Sequence, residues 1–137
     1  MSGEHKRYGR KEKFFLMGLL VVLVILSGTW QPQINIELVK GKERIARIEI
    51  KELEGALQLF YFDVGRYPTS SEGLEAIVHN NRNLDSWKGP YRTKDLPRDP
   101  WGRPYIYRCP GLHGDYDLLS CGPDSVEGDA DDIVNWK

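Results

Sequence analysis

An acidic segment near the C-terminus carries the strongest chemical signal in this chain. Asp124 precedes the adjacent pair Asp131 and Asp132 by seven and eight residues, and Pro123 and Gly128 break the segment into turns. One loop of carboxylates, hydroxyls and free carbonyls can supply the six to eight oxygens, at about 2.3 to 2.6 Å, that calcium prefers. The spacing differs from that of the EF-hand loop. The segment therefore predicts a calcium site of another kind.

The alternative interpretation is a solvated acidic tail, which is what most runs of charge are. Two apolar or aromatic residues, Ile133 and Trp136, follow the acidic residues. A solvated tail does not need them, whereas a loop that folds back onto a core does. The ending therefore favours the calcium site, with Ile133 and Trp136 as its anchor.

A segment without charged residues lies near the other end of the chain. Residues 14–36 are uncharged and start with a long apolar run, whereas residues 1–13 carry five lysines and arginines against two glutamates. About 20 apolar residues in a helix span a membrane, and basic flanks tend to stay in the cytoplasm. We therefore predict three regions: a basic cytoplasmic segment 1–13, a transmembrane helix 14–36, and residues 37–137 outside the cytoplasm. A cleavable secretory signal is the alternative for the apolar run.

The elements that must position the acidic loop start with a helix over Lys42 to Val64. Its apolar residues recur at intervals of three and four, which predicts one buried face: Ile45, Ile48, Leu53, Ala56, Leu57 and Phe60. Gly65 predicts its end. Thr69 and Glu72 then form the pattern of a capping box, which predicts a second helix with an apolar face at Leu74, Ile77 and Val78.

Two short strands precede the acidic loop. We expect them at Tyr105–Cys109 and Tyr116–Cys121, around a turn rich in glycine and proline. Residues 82–104 are predicted to form a fixed loop, because their aromatic residues give it apolar mass to bury. In such a hairpin Cys109 lies near the turn and Cys121 at the far end, beyond bridging distance. We therefore expect two buried free thiols.

Composition and motifs argue against other function classes. The chain has 137 residues and a formal net charge of −1, which disfavours nucleic-acid binding. Its three histidines are scattered, and no nucleophile motif or phosphate-binding loop is present. The aromatic residues between 67 and 107 could form a sugar or peptide platform, but filling of a small core accounts for them better. We therefore expect that the protein is not an enzyme.

Several motifs follow one another from about residue 53 to the end of the chain. They are Leu53-x-x-Ala56-Leu57, Gly65-Arg66-Tyr67-Pro68-Thr69-x-x-Glu72-Gly73-Leu74-Glu75-Ala76, Leu96-Pro97-x-Asp99-Pro100-Trp101-Gly102-x-Pro104-Tyr105, Pro110-Gly111-x-His113-Gly114-x-Tyr116-Asp117, Gly122-x-Asp124 and Asp131-Asp132-Ile133-x-Asn135-Trp136. In their order and spacing, these motifs resemble the major pseudopilin family of type II secretion systems, also called the protein G family. Agreement among several motifs is more specific than any single one.

The resemblance implies an α+β, type IV pilin-like fold. A long N-terminal helix, membrane-embedded in its first part, would pack on a small antiparallel sheet next to a C-terminal calcium-binding loop. It implies a structural subunit that assembles, as a homo-oligomer and with other pseudopilin or secretion-system subunits, into a periplasmic pseudopilus that aids protein export. It also implies a single-pass protein of the bacterial inner membrane with its head in the periplasm.

The resemblance further implies a set of calcium ligands. These are the carboxylates of Asp124, Asp131 and Asp132 together with main-chain oxygens near Leu119 and Val126. Ser125 and Asp129 would be helpers.

One part of the chain departs from the family pattern. The family has a glycine before the processing site, a phenylalanine after it and a glutamate at the fifth mature position; Arg10, Lys11 and Phe15 stand there in this chain. A carboxylate within a membrane segment is costly and usually functional, so its loss is informative. Two hypotheses follow: a filament subunit, or an uncleaved, membrane-anchored relative that acts as an assembly or interaction module.

Overall fold

The computed structural model describes the backbone of residues 10–136 and the side chains of residues 36–136. The chain divides into two compact units, Met1–Leu38 and Val39–Lys137, and we call the second unit the head. The described backbone of the first unit is helical throughout, as part of helix α1, Arg10–Val64. Residues 1–9 of the predicted cytoplasmic segment, and the side chains of the predicted transmembrane helix up to residue 35, lie outside the described residues. No helix with described side chains is long and apolar enough to cross a membrane.

Within the head, α1 presents one face to the core. The predicted core residues Leu53, Ala56, Leu57 and Phe60 are buried, and the chain continues the same face with Ala46 and Ile50. The assignment of Ile45 and Ile48 to that face was wrong, because these side chains remain 50% and 54% exposed. The buried face is therefore set by Ala46 and Ile50, one and two positions further along the chain.

The helix ends as predicted at Gly65. Its φ of 82° places it in the left-handed region, and its N–H donates to the Tyr61 carbonyl at 2.8 Å. The predicted capping box also forms: the Thr69 N–H donates to Glu72 Oε2 at 2.7 Å, and the Glu72 N–H donates to Thr69 Oγ1 at 3.3 Å. The second α-helix was a wrong prediction. Gly73, with φ of 62°, interrupts it, and only a 3₁₀ turn, Leu74–Ile77, follows.

Three short strands form an antiparallel sheet in the order β1 (Ile106–Arg108), β2 (Asp117–Ser120) and β3 (Ile133–Val134). All four β2 residues are buried. Leu118 and Ile133 join the core face of α1 in one apolar cluster. The predicted helix packed on a small antiparallel sheet is therefore confirmed, with the anchor residue Ile133 in a strand of its own.

The loop between the 3₁₀ turn and β1 is held by specific contacts, as predicted for a fixed loop. Trp87 Nε1 donates to the Ala76 carbonyl at 2.9 Å, and the Tyr91 N–H donates to the Ile77 carbonyl at 2.8 Å. Both cysteines, Cys109 and Cys121, are free and only partly buried, so the prediction that they are buried was wrong.

Candidate metal centre

The acidic loop is closed at both ends by the sheet. Ser120 at the end of β2 pairs with Ile133 at the start of β3, so the residues between them must form a returning loop. The Asn135 side chain reinforces this closure, because its Oδ1 accepts from the Leu118 N–H at 2.8 Å. Trp136 stacks on His113 with ring centroids 4.0 Å apart and an interplanar angle of 3°. The loop is therefore anchored as the sequence predicted, and it is not a free tail.

A close backbone approach shapes the start of the loop. Gly122 has a φ of 59°, and a Cβ at this position would lie 2.4 Å from the carbonyl oxygen of Asp131. Only glycine fits such a crossing without displacing main-chain atoms. The crossing brings the two ends of the acidic segment together and places Asp131 near Asp124.

Three carboxylates meet in this loop. Asp124, Asp129 and Asp131 each offer an oxygen, and these oxygens lie within 4.8 Å of one another. Two are also fixed locally: Asp124 Oδ1 accepts from the Val126 N–H at 2.8 Å, and Asp129 Oδ1 accepts from the Asp131 N–H at 3.3 Å. Asp124 is exposed and the other two are half-buried. The arrangement offers several oxygens to one small, hard ion.

Electrostatics in the cluster favour a positive partner. A side-chain hydrogen bond with Asp131, then desolvation and the nearby Asp124, raise the pKa of Asp129 to about 6. Carboxylates that share a site cannot all ionise easily, because their negative charges repel. A bound cation would remove this repulsion, because its positive charge takes the place of the proton that the carboxylates would otherwise hold. The residues present therefore fit a cation site.

The remaining predicted ligands lie around this cluster. Asp132 is buried and outside the group of three: its Oδ2 accepts from the Gly128 N–H at 2.7 Å, while its Oδ1 has no hydrogen-bond partner within residues 36–136. Leu119 lies in the centre of β2, paired with Ile106 and Val134. Val126 contributes its N–H to Asp124. The structure thus assembles Asp124 and Asp131 with the helper Asp129, and the rest of the ligand set stays a prediction.

An arginine that the sequence reasoning missed supports the start of the loop. Arg103 donates to Ser125 Oγ and to the Gly122 carbonyl, so the predicted helper Ser125 is held by a protein side chain. The Arg103 guanidinium also lies 3.4 Å from the buried carboxylate of Asp99, which accepts from Ser120 Oγ at 2.6 Å. The motif residues on either side of Arg103 do not predict this role, because the role depends on contacts with a loop that is distant in the sequence.

The environment of Asp99 keeps its carboxylate ionised, next to the Arg103 guanidinium. Burial alone would raise the pKa of Asp99, but hydrogen bonds from Ser120 and from the Arg103 N–H, together with the Arg103 charge, lower it overall. An ionised Asp99 holds Arg103 in place, and Arg103 holds the loop. The pair of buried Asp99 and half-buried Arg103 is therefore a positioning element next to the acidic cluster.

Comparison with known proteins places these features in context. Residues 33–136 match the family model described as type II secretion system (T2SS), protein G. The chain is 38% identical to the type II secretion system core protein G of Pseudomonas aeruginosa over 127 residues, which cover 88% of this chain and 89% of that protein. It is 39% identical to the core protein G of Klebsiella pneumoniae over 137 residues, which cover 93% and 95%.

A solved structure agrees with the sequence comparison. The fold is similar to the crystal structure of the major pseudopilin from the type 2 secretion system of enterohaemorrhagic Escherichia coli, with a TM-score of 0.65 and 34% identity. The match covers 73% of this chain and 87% of that one.

Proposed function

This chain belongs to the protein G family of type II secretion systems, and we propose that it performs the family's structural role with a calcium ion bracing its head. It is a pilin-like structural subunit of the pseudopilus, and not an enzyme. The observation that carries this conclusion is the family match over residues 33–136 together with a helix packed on a three-stranded sheet. Its partners are other subunits of the secretion apparatus in the bacterial envelope.

The calcium ion is the part of the proposal that concerns the loop. Asp124, Asp129 and Asp131 would hold it, with Asp132 and the main-chain oxygens near Leu119 and Val126 as the further ligands named above. When bound, the ion supplies positive charge and coordination that offset the repulsion between carboxylates. Since the ligands come together only in the folded head, binding would stabilise the folded state by mass action, by about 2.7 kcal/mol at a calcium concentration 100 times the Kd.

The finer partner and location assignments also belong to this proposal. Residues 14–36 would anchor the chain in the inner membrane, the basic segment 1–13 would stay in the cytoplasm, and the head would lie in the periplasm. Further copies of the chain would form the filament. A repeated contact between different surfaces of identical subunits gives an open helical filament, which is the assembly a pseudopilus requires.

Thermal unfolding of the full chain in detergent tests the calcium site. We expect a higher Tm in calcium than in chelator for the wild type, and no such gap for Asp124→Ala. Asp85→Ala, an exposed aspartate outside the loop, is the matched control and should keep the gap. Equal wild-type Tm values in calcium and chelator would exclude a calcium site in this loop.

Secretion by cells that lack this protein tests the structural role. The wild-type chain should restore export and pseudopilus assembly. Arg10, Lys11 and Phe15 favour a second candidate, an uncleaved interaction module, because they replace the residues expected at a processing site. The intact mass of the protein from cells with and without a prepilin peptidase separates the two: a peptidase-dependent loss of about ten residues, which corresponds to cleavage after Arg10, indicates a processed filament subunit.

A further inference from the structure

The outer edge of β1 is open at one residue. In the pairing of β1 with β2, Tyr107 lies opposite Leu118. The main-chain groups of Leu118 point to the other side of β2, because its carbonyl accepts from the Asn135 N–H at 3.1 Å and its N–H donates to Asn135 Oδ1 at 2.8 Å. Tyr107 and Leu118 therefore form a non-hydrogen-bonded pair, in which the N–H and the carbonyl of Tyr107 point away from β2.

The head itself covers this edge on both sides of Tyr107. Beyond the C-terminal end of β1, the Cys109 N–H donates to Ser70 Oγ at 2.8 Å, and the Ser70 N–H donates to the Cys109 carbonyl at 3.3 Å. Before its N-terminal end, Arg98 and Pro104 form an isolated antiparallel bridge. Between these contacts, the N–H and the carbonyl of Tyr107 have no hydrogen-bond partner within residues 36–136. The edge thus offers one donor and one acceptor to a further strand.

A groove of about 240 Å³ lies along the open edge. Leucine, proline and tyrosine supply most of its lining: Leu74, Leu96, Pro97, Pro104, Tyr105 and Tyr107. The two tyrosine hydroxyls are already used within the head, because that of Tyr105 donates to Glu49 and that of Tyr107 donates to the Pro68 carbonyl at 2.8 Å. The walls of the groove therefore offer apolar surface, which suits a side chain with an aliphatic stem.

One carboxylate gives the groove its charge. Among the described residues that line the groove, Glu75 alone is charged, and it is exposed. No lysine, arginine or histidine within residues 36–136 forms a salt bridge with it. Lysine and arginine pack their aliphatic stems on apolar surface and keep the charged end at its rim, where a carboxylate can pair with it. The groove is therefore complementary to a basic side chain, and an acidic one would be repelled.

We propose that this groove binds one extended segment of a partner protein, which pairs antiparallel with the edge at Tyr107 and places a lysine or arginine side chain toward Glu75. An antiparallel pair suits an edge that is open at one residue, because the two opposite residues exchange both main-chain hydrogen bonds with each other. Their side chains lie on the same face of the sheet. Since the Tyr107 side chain lines the groove, the side chain opposite to it enters the groove. The site is separate from the acidic loop, and the inference goes beyond the proposed function.

Peptide titration of the isotope-labelled full chain in detergent, followed by NMR, tests the site. The first probe is the peptide acetyl-Thr-Val-Arg-Val-Thr-amide, whose β-branched residues favour an extended backbone. The second has glutamate in place of the arginine, and the third is the arginine peptide methylated at the main-chain nitrogen of its arginine. With the first peptide, we expect the amide proton of Tyr107 to shift downfield and to exchange more slowly with solvent. The methylated peptide should bind about tenfold or more weakly, because it lacks one main-chain donor, and the glutamate peptide should leave the Tyr107 amide unchanged.

Two variants test the role of the carboxylate. Glu75→Gln should weaken binding of the arginine peptide by about two- to fivefold, which is the range of an exposed ion pair. Asp85→Asn removes the same charge from an exposed residue outside the groove lining and should leave binding unchanged.

Each contrary result overturns a stated part of the proposal. Equal binding of the arginine and glutamate peptides overturns the basic side chain, and equal binding of the methylated peptide overturns the strand pairing. No change at Tyr107 with any peptide overturns the site. A Tyr107 shift that follows the protein concentration without peptide assigns the groove to a second copy and overturns the separate partner. Export and the gap in Tm between calcium and chelator are independent measurements, so failure of this proposal leaves the proposed function in place.

Discussion

Substitution of Gly122 by alanine tests whether the loop depends on the close approach of its two ends. The new Cβ would lie 2.4 Å from the carbonyl oxygen of Asp131 and 3.0 Å from its carbonyl carbon, and both are main-chain atoms that cannot rotate away. The residue would also keep a φ near 59°, where a side chain is strained. The expected result is a displaced Asp131 and a weakened cluster.

The loss in the free energy of unfolding expected for Gly122→Ala has two causes. The left-handed backbone costs about 1 to 2 kcal/mol for a residue with a Cβ, and forcing extra volume into a packed site costs about 1 to 3 kcal/mol. Together they predict a loss of about 2 to 5 kcal/mol in the free energy of unfolding. Gly128 separates the parts, because it has a φ of 99° but a Cβ there would meet nothing within 4 Å.

Thermal and urea unfolding of wild type, Gly122→Ala and Gly128→Ala, each with calcium and with chelator, measure both effects. Gly122→Ala should be less stable than Gly128→Ala by about 1 to 3 kcal/mol, since only it adds the clash. It should also need more calcium for the same gain in Tm. Equal stabilities of the two variants would show that the Asp131 contact relaxes freely, and the argument for a loop fixed at Gly122 would fail.

Three further perturbations probe the rest of the head. Leu57→Ala, at a side chain that is 0% exposed, should cost about 2 to 5 kcal/mol in the free energy of unfolding. The control Leu59→Ala, at a side chain that is 53% exposed in the monomer, should change the free energy of unfolding by about 0.5 kcal/mol or less. Urea titration measures both. The hydrogen-bonded Arg66 lowers the pKa of Glu72 to about 2. The ionised carboxylate therefore stabilises the fold above its unfolded pKa, and this stabilisation is lost as the pH falls from about 4.5 to about 2. Glu72→Gln should flatten the dependence of stability on pH in this window. Trp136→Ala should cost about 0.5 to 1.5 kcal/mol and shift the ring protons of His113 downfield in NMR spectra, because the stacked ring is lost.

The sequence predicted those parts of the fold that depend on local signals. Gly65 and the Thr69–Glu72 capping box act within a few residues, and the structure has both where the pattern places them. The second helix failed because a capping box does not ensure that a helix follows, and the positive φ of Gly73 diverts the chain after one turn. β3 was expected only as an anchor, since a strand of two residues has no periodicity to detect.

In the acidic site, too, the local sequence predicts some residues, whereas others depend on contacts between residues distant in the sequence. Asp124 and Asp131 stand out by composition, and the structure brings them together. Asp129 was given only a helper's role, and the structure places it in the cluster while Asp132 bonds to Gly128. For the adjacent residues 131 and 132, sequence cannot decide which faces inward. That choice follows from the Gly122 crossing, a contact that spacing does not encode.

The error at Ile45 and Ile48 has a physical cause. A helix with one apolar face has one periodic series, and the assignment of its core residues is then simple. α1 has two series: one through Ile50 and Leu57, which its own sheet covers, and one through Ile48 and Phe62, which remains exposed in the head. Propensity does not require the second series, since charged residues with high helix propensity would keep such a face both helical and soluble. Spacing alone does not show which of two apolar series the sheet covers, and the first series in the chain, at Ile45 and Ile48, is the one that the sheet leaves exposed.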